Sequence, residues 1–489
     1  MQINLNNLHL KSFLRCKRKA WLDYHGNKSN RIWSPHQSIE IINRYKNFHT
    51  LSDGDLYTGT KACQKGSNGV IGLKVRSKLI NNISAEIQPQ LLKKIDGHSK
   101  WGEYKYIPVI YKLGYRTTKE HLFDLAFCSI LLEPLQEAKI DKGLVISNCA
   151  NQINIEKIDL NQKLRKKVLN TFLNLSEYLK RSIPNITEDR KKCTICSWQK
   201  FCDAEAKYNG YLTDVDGIGS KTAVFLQKNG ISNIKDLAST REIELGEKLL
   251  QFKEQKFEKA SKFINQSKAY LSGIPIRIYD NENLSYLLSN KDSGFFIFDI
   301  ESNPDDKHDF LYGFLEVNNL FENIEDDFYD PILNLKKNSK KANKKIVQKL
   351  LSKKYWPVLH YGETEKIAIL DLARQLELDT REIEILKSRF IDLHLIMRGS
   401  WILPVRNYRL KTVANWMGFK WKQKNVSGSK ALYWWIQYKS TLNDIFLEKI
   451  IIYNRDDCLA TLQIAKWLIK KHENINYRKV EPTDLSIEI

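Results

Sequence analysis

The chain has 489 residues, of which 42% are hydrophobic, and it carries a formal net charge of +21 with an isoelectric point near 9.3. This hydrophobic content excludes a disordered polyelectrolyte, and the length predicts about three domains with cores of their own. The excess of lysine and arginine favours a polyanionic partner, because binding phosphates releases their counterions. The alternative is a soluble protein that is simply basic.

Neither a membrane nor a secretory route is indicated by the hydropathy pattern. No apolar run approaches the roughly 18–20 residues that cross a bilayer, and the first residues lack the order of a secretory signal. We therefore expect a cytoplasmic protein that makes no membrane contact. In that reducing setting, clustered cysteines indicate metal ligation rather than disulfides.

The N-terminal part alternates helical and strand patterns. Residues 1–30 predict one amphipathic helix with a strongly basic flank, and Cys16 lies within it. Residues 104–113 and 142–148 are typical of strands, and a helix is predicted between them, near 119–136. This order predicts a mixed α/β domain.

Three cysteines follow with the spacing C-x2-C-x5-C, namely Cys193, Cys196 and Cys202. Thiolates this close in sequence indicate a metal or cluster that neutralises their charge. Zinc would take a nearby histidine or cysteine as its fourth ligand. An iron–sulfur cluster would need a fourth thiolate, and Cys16 has similarly basic and aromatic surroundings. The third possibility is that no metal binds.

Residues 211–238 contain Gly217-Ile218-Gly219 between two helical patterns, with Lys221 just beyond. A tight glycine turn that opens a helix exposes backbone N–H groups, which can bind a phosphate oxygen without reading base sequence. The pattern predicts a helix-hairpin-helix, and a purely structural turn between helices is the alternative. The charged stretch 246–272 predicts a continuing helix.

The stretch FFIFDIESNPD, residues 295–305, is an apolar strand that carries Asp299 and Glu301 two residues apart and therefore on one face. Two neighbouring carboxylates repel each other, and a divalent cation would offset that cost. A strand that ends in ordinary turn residues is the alternative. Residues 310–317 are predicted as its hairpin partner.

Further polar residues recur along this last third of the chain. A short strand and a helix over 355–376 place Glu365 near the helix start, and a long amphipathic helix over 447–471 carries Tyr453 and Asp457 four residues apart on one face. Asp456 is out of phase with them. Nine lysines occur in residues 336–354 without an acid, a run that is more typical of a solvated surface than of a specific contact.

These acids together indicate phosphodiester hydrolysis. Two divalent metals can activate a water and stabilise the leaving oxygen, and they need three or four converging carboxylates. Mg²⁺ or Mn²⁺ suits ligands that are all oxygen. Tyr453 lies one turn before Asp457, where it could orient the water or the phosphate.

The motifs DIE, HYGETE, IDLHLIM, NYRLKTVANWMGF and YNRDDCLAT resemble the ribonuclease-H-like, DEDD-type 3′–5′ exonuclease domain of the YprB kind. The whole chain is similar to bacterial RecB-like nucleases. That resemblance implies a multidomain α/β fold in three parts: a restriction-endonuclease-like PD-(D/E)xK domain with the cysteines (1–205), a helical helix-hairpin-helix region (206–275), and a ribonuclease-H-like mixed sheet with flanking helices (285–475).

The resemblance also implies functional residues. Asp299, Glu301, Glu365 and Asp457 would bind the metals, with Tyr453 as the motif tyrosine. Glu365 stands where the wider superfamily has aspartate. The cysteines Cys16, Cys193, Cys196 and Cys202 would hold a 4Fe–4S cluster that joins the two ends of the N-terminal domain.

The N-terminal domain departs from the PD-(D/E)xK pattern. Ile110 stands where an acid should precede Lys112, and Gln90 follows Pro89 in place of an aspartate. Asp124 occupies the helix that usually carries a glutamine. We expect a degenerate module kept for binding or scaffolding.

The sequence thus predicts a nuclease that acts on nucleic acid, with DNA favoured over RNA. Two rivals stay open: a non-catalytic nucleic-acid-binding scaffold, and an endonuclease that works through the N-terminal domain.

Overall fold

The computed structural model describes residues 3–80, 83–114, 116–149, 152–252, 256–278, 282–289, 294–319 and 328–476. The chain divides into two compact units, Met1–Tyr208 and Asn209–Ile489. The predicted hairpin region therefore belongs to the same unit as the predicted exonuclease domain. Among the helices of the described ranges, none has the length and apolar character needed to cross a membrane.

The first unit is a mixed α/β domain. Its strands are β1 (Ile3–Asn6), β2 (Leu56–Thr58), β3 (Gly69–Ile71), β4 (Val75–Ile80), β5 (Ile83–Ile87), β6 (Leu91–Ser99), β7 (Gly102–Tyr111), β8 (Lys142–Cys149) and β9 (Gln152–Asp159). Its helices are α1 (Asn7–Arg15), α2 (Lys17–His25), α3 (Pro35–Leu51), α4 (Gly59–Gln64), α5 (Lys119–Gln136), α6 (Gln162–Leu179) and α7 (Gln199–Asn209).

Two sheets form in this unit. One has the strand order β2-β3-β6-β7-β8-β9 and the other the order β1-β5-β4, as far as the described residues show. Helix α5 packs on the larger sheet with a mainly apolar buried face that also includes Asp124, Ser129 and Gln136, and it spans the residues predicted for it. The predicted strands at 104–113 and 142–148 are confirmed as β7 and β8.

The single helix predicted for residues 1–30 is wrong. The chain forms α1 and α2, and Cys16 lies between them with extended backbone angles of φ −160° and ψ 122°. Helix α1 begins with a capping box in which the Asn6 side chain accepts from the backbone N–H of His9. The break turns Cys16 out of the helical repeat.

The second unit begins with four helices: α8 (Ser220–Lys228), α9 (Ile234–Ser239), α10 (Glu242–Leu250) and α11 (Lys259–Ser272). The continuous helix predicted for 246–272 is therefore wrong, since α10 ends and α11 begins within that range. These helices share one apolar core, which includes Leu212, Ile218 and Phe263.

The remainder of the second unit is a five-stranded mixed sheet with flanking helices. The strands, in the order β13-β12-β11-β14-β15, are β11 (Phe295–Asn303), β12 (His308–Val317), β13 (Tyr329–Leu333), β14 (Val358–His360) and β15 (Phe390–Asp392). A separate short pair joins β10 (Ile276–Arg277) to β16 (Trp401–Ile402). The helices in the described part are α12 (Glu282–Ser289), α13 (Lys340–Leu351), α14 (Thr364–Gln375), α15 (Thr380–Arg389), α16 (Leu393–Ser400), α17 (Leu410–Trp416), α18 (Gly428–Thr441) and α19 (Ile445–Asn476).

Strand β11 has a different core on each face. It pairs antiparallel with β12, as predicted, and parallel with β14. Phe295 and Ile297 pack in the core that α19 covers, whereas Phe296 and Phe298 pack in the core that α13 and α14 cover. Because side chains alternate along a strand, Asp299 and Glu301 continue the face covered by α19.

Candidate active site

Strand β11 and helix α19 bring three of the predicted acids together. One carboxylate oxygen from each of Asp299, Glu301 and Asp457 lies within 4.8 Å of the other two. Glu301 and Asp457 are buried, and Asp299 keeps part of its surface accessible. In the described ranges, no other set of three histidine, cysteine or acidic side chains comes this close. Oxygen ligands in this arrangement fit Mg²⁺ or Mn²⁺.

Tyr453 contacts this acid group, as the helical spacing predicts. Its side chain is buried and hydrogen-bonds to Asp457, one turn further along α19. Asp456 is turned elsewhere and accepts a hydrogen bond from the backbone N–H of Lys422 at 2.7 Å. The out-of-phase prediction for Asp456 is confirmed.

Glu365 lies outside the group of three. It occupies the first turn of α14, directly after β14, and is buried. Its Oε2 atom is 3.7 Å from Nδ1 of His360 and has no hydrogen-bond partner within the described residues. The charge of Glu365 nevertheless reaches the group, because it contributes to the raised pKa values of Asp299 and Glu301.

The acids are held against their mutual repulsion. Burial, followed by the charge of Asp457, raises the pKa values of Asp299 and Glu301 well above their ordinary values. Burial raises the pKa of Asp457 to about 6, although Lys411 and two hydrogen bonds act in the opposite direction. Carboxylates that are buried side by side gain stability from a divalent cation, which neutralises them.

An amide not predicted from the sequence fixes Asp299. Asn454 Nδ2 donates to Asp299 Oδ2 at 2.7 Å, and the Tyr329 hydroxyl donates to Asn454 Oδ1 at 2.7 Å. Gly313 pairs with Asp299 across the β11–β12 ladder, and a Cβ atom at Gly313 would lie 1.7 Å from Asn454 Oδ1. An isolated glycine inside a strand pattern was the sequence signal for this close approach.

Lys411 and Trp421 complete the surroundings of the acids, and the sequence assigned neither a role. The indole Nε1 of Trp421 donates to Asp457 Oδ1 at 2.6 Å. Lys411 Nζ lies 4.3 Å from the centre of the Tyr453 ring and donates to the Val426 carbonyl oxygen at 2.6 Å. Burial lowers the pKa of Lys411, and the neighbouring acids oppose that shift.

The fold, the acids and the family comparison agree on the class of this domain. Residues 296–469 match the RNase_H_2 family model, described as RNase_H superfamily. This part of the chain is an RNase H-like domain. The match indicates a metal-dependent nuclease that acts on nucleic acid, and the three acids are placed to hold its metal. No curated protein matches the chain.

The lysine-rich run is placed on the other side of the RNase H-like sheet. Helix α13 contains the centre of this run and packs in the core behind β11, on the face opposite to Asp299 and Glu301. Lys341, Lys344 and Lys345 are exposed there. Their position agrees with the prediction that the lysine run forms a solvated surface.

The four cysteines predicted as cluster ligands line one cavity. Cys16, Cys193, Cys196 and Cys202 share it with the basic side chains Arg15, Arg18, Lys19 and Lys192. All four are free thiols. Burial raises the pKa of Cys193 to about 11 and also raises the pKa values of Cys196 and Cys202.

Among the described residues, the four thiols do not form a group as close as the one made by Asp299, Glu301 and Asp457.

The predicted hairpin contains a glycine turn that leads into α8. Gly217 has φ +90°, which favours glycine, and Gly219 is the N-cap of α8. No atom of the described chain lies within 4 Å of a Cβ built at Gly219, so a ligand can approach its backbone. Lys221 is exposed in the first turn of α8.

The departures of the first unit from a PD-(D/E)xK site have structural counterparts. The buried Asp124 accepts from Asn7 Nδ2 at 2.8 Å and pairs with Lys11 at 3.3 Å. Lys112 is buried 4.0 Å from Glu156, and Gln90 accepts from the backbone N–H of Tyr111.

Proposed function

We propose that this protein is a metal-dependent nuclease that cleaves phosphodiester bonds at the acid group of its RNase H-like domain, as a 3′–5′ exonuclease. The observation that carries the proposal is the convergence of Asp299, Glu301 and Asp457 within 4.8 Å, inside the range that matches the RNase_H superfamily. The polarity rests on the resemblance to DEDD-type exonucleases. We favour DNA over RNA as the substrate.

The donor set fits two divalent metal ions. Asp299, Glu301 and Asp457 supply carboxylate oxygens, and Glu365 Oε2, which has no hydrogen-bond partner within the described residues, supplies a fourth acceptor near them. Bound Mg²⁺ or Mn²⁺ would supply Lewis-acid stabilisation and an activated water. Tyr453, hydrogen-bonded to Asp457, orients that water or the scissile phosphate.

Two features support a role of the other regions in binding. The open backbone at Gly219, next to Lys221, suits a phosphate of the nucleic-acid backbone. In the first unit, Asp124 is engaged by Lys11 and Asn7, so this carboxylate is occupied by protein groups. We therefore assign the first unit to binding or scaffolding.

We also propose that Cys16, Cys193, Cys196 and Cys202 hold a 4Fe–4S cluster. The four thiols line one cavity, and basic side chains surround them to offset the negative charge of a cluster. In sequence, Cys16 precedes the six-stranded sheet and the other three cysteines follow it, so the cluster joins distant parts of the unit.

The nuclease proposal predicts that substituting Asp299 and Glu301 together by alanine abolishes degradation that depends on Mg²⁺ or Mn²⁺. End-labelled single- and double-stranded DNA and RNA would be incubated with wild type and D299A/E301A, and the product ladder reports activity, substrate and polarity. The matched control is D371A/E384A, which removes two exposed acids from α14 and α15.

The outcomes separate the rival functions. Loss of activity in D299A/E301A alone, with binding retained, supports the proposal. Equal activity in wild type and D299A/E301A would contradict it and would indicate that the first unit cleaves the substrate. Binding without degradation by wild type would favour the scaffold reading.

The cluster proposal predicts about four iron atoms per chain and visible iron–sulfur absorption in anaerobically purified protein. C193S/C196S should lose both, because two of the four ligands are missing, whereas C63S should keep them, because Cys63 is buried in the sheet core. Stoichiometric zinc, or no metal, in the wild type would overturn this assignment.

A further inference from the structure

A lysine-bearing segment lies directly against the acid group. Residues 419–427 connect α17 to α18 without regular secondary structure. Trp421 donates to Asp457 at 2.6 Å, and the backbone N–H of Lys422 donates to Asp456 at 2.7 Å. The segment is thus joined to α19 at the acids themselves.

Two further hydrogen bonds hold the segment in place. Gln423 Nε2 donates to the carbonyl oxygen of Lys449 at 3.1 Å, and the half-buried Lys411 of α17 donates to that of Val426 at 2.6 Å. Lys449 lies eight residues before Asp457 on α19, which corresponds to about 12 Å along the helix axis. The segment therefore runs along α19 from the acid group toward the N-terminal end of that helix.

The side chains of the segment alternate between protein and solvent. Trp421 and Gln423 are partly buried and bonded to α19, whereas Lys420, Lys422 and Lys424 are exposed. The hydrogen bonds of Trp421 and Gln423 fix the backbone of the segment. They therefore also fix where the three exposed lysines leave the backbone. This anchoring distinguishes them from the lysines on α13, which lie on the other face of the sheet.

Two more lysines near the segment repel each other. The pKa of Lys430 is below its ordinary value because of partial burial and then because of the charge of Lys449. A bound anion would relieve this repulsion.

We propose that residues 419–427 are a strand-binding track, on which Lys420, Lys422 and Lys424 contact the backbone phosphates of a single nucleic-acid strand whose end enters the acid group. The inference rests on the proposed nuclease function and adds where the substrate binds. Lysines bind phosphates as point charges, so the track holds the strand independently of base sequence.

The test is the salt dependence of binding, measured with EDTA present so that no cleavage occurs. The probes are fluorescein-labelled 20-mers of deoxythymidine and of uridine, and the readout is fluorescence anisotropy. The test variant is K420Q/K422Q/K424Q. The matched control, K341Q/K344Q/K345Q, removes the same charge from exposed positions of α13.

Each phosphate contact contributes about 0.7 to the slope of log affinity against log salt for single strands, so K420Q/K422Q/K424Q should lower the slope by about 2. The same relation gives roughly 10- to 100-fold weaker binding at 0.1 M salt. K341Q/K344Q/K345Q should behave as wild type. K420R/K422R/K424R should restore the slope, and thermal melting checks that each variant is folded.

Equal loss in both glutamine triples would overturn the track, since the effect would follow net charge alone. Unchanged binding in K420Q/K422Q/K424Q would also overturn it, and hydrolysis lost only in D299A/E301A would leave the nuclease proposal standing. Displacement of the 20-mers by poly-glutamate at equal charge would indicate an acidic polypeptide instead. A wild type that neither binds nor cleaves either 20-mer would defeat the nuclease proposal itself.

Discussion

At the scale of single residues, the acid group depends on one amide. Asn454 contacts Asp299 through its nitrogen and Tyr329 through its oxygen, so its orientation is set from both ends. Gly313 leaves the space that Asn454 occupies. The D-x-E spacing predicted that Asp299 and Glu301 share a face, but the amide comes from a helix about 155 residues later, and the D-x-E spacing does not indicate which group makes that contact.

Gly313→Ala should therefore impair the site. A Cβ atom 1.7 Å from Asn454 Oδ1 must displace the amide, which then releases Asp299. We expect a loss of about 1–3 kcal/mol in the free energy of unfolding and at least a 10-fold loss of hydrolysis, measured by denaturant melts and initial rates.

A second substitution distinguishes the effect of the clash on stability from the effect of the lost Asn454–Asp299 hydrogen bond on activity. In G313A/N454A the clash is relieved, so stability should recover in part, while activity stays low because Asp299 has lost its donor. Full activity in G313A, or recovered activity in G313A/N454A, would contradict a positioning role for Asn454.

At the scale of elements, local sequence patterns correctly predicted those helices and strands whose formation does not depend on distant contacts. Helix α5, the β11–β12 hairpin and α19 follow from periodicity, and Tyr453 and Asp457 share a face of α19 as expected. The helix break at Cys16 was not predictable, because good helix formers stand on both sides of it. The break turns Cys16 toward the cavity of Cys193, Cys196 and Cys202, a contact about 180 residues away in sequence.

For Glu365, the sequence pattern predicted the position in its helix but not the distance from the other acids. The order of a short strand followed by a helix placed it near the helix start, as found. Its distance from Asp299 depends on how β14 lies beside β11, which the sequence does not specify. Of the four predicted acids, three form the close group, and Glu365 is buried outside it.

At the scale of the whole molecule, the two proposed metal sites lie in different compact units. The cysteine cavity belongs to Met1–Tyr208 and the acid group to Asn209–Ile489. A ligand stabilises the folded unit that binds it by mass action. Removing divalent cations should therefore affect the second unit, and losing the cysteine-bound cluster should affect the first.

The acid group predicts an unusual pH dependence for the metal-free second unit. The folded pKa values of Asp299 and Glu301 are raised well above the ordinary range, and that of Asp457 is raised to about 6. Between an unfolded pKa near 4 and these folded values, the folded state binds more protons, so its stability falls as pH rises. For Asp457 alone the loss is at most about 3 kcal/mol.

Calorimetry on the full chain would measure this effect as the difference between wild type and D299N/E301Q/D457N, which cancels the titration of other groups. With EDTA, the wild type should lose stability relative to the variant between pH 5 and pH 8. Mg²⁺ should reverse that loss at pH 8 and have little effect at pH 5, because protonated carboxylates bind metal poorly. A metal-free difference that does not change with pH would show that the three carboxylates do not repel one another in the folded protein, and it would remove the electrostatic basis for a metal at this site.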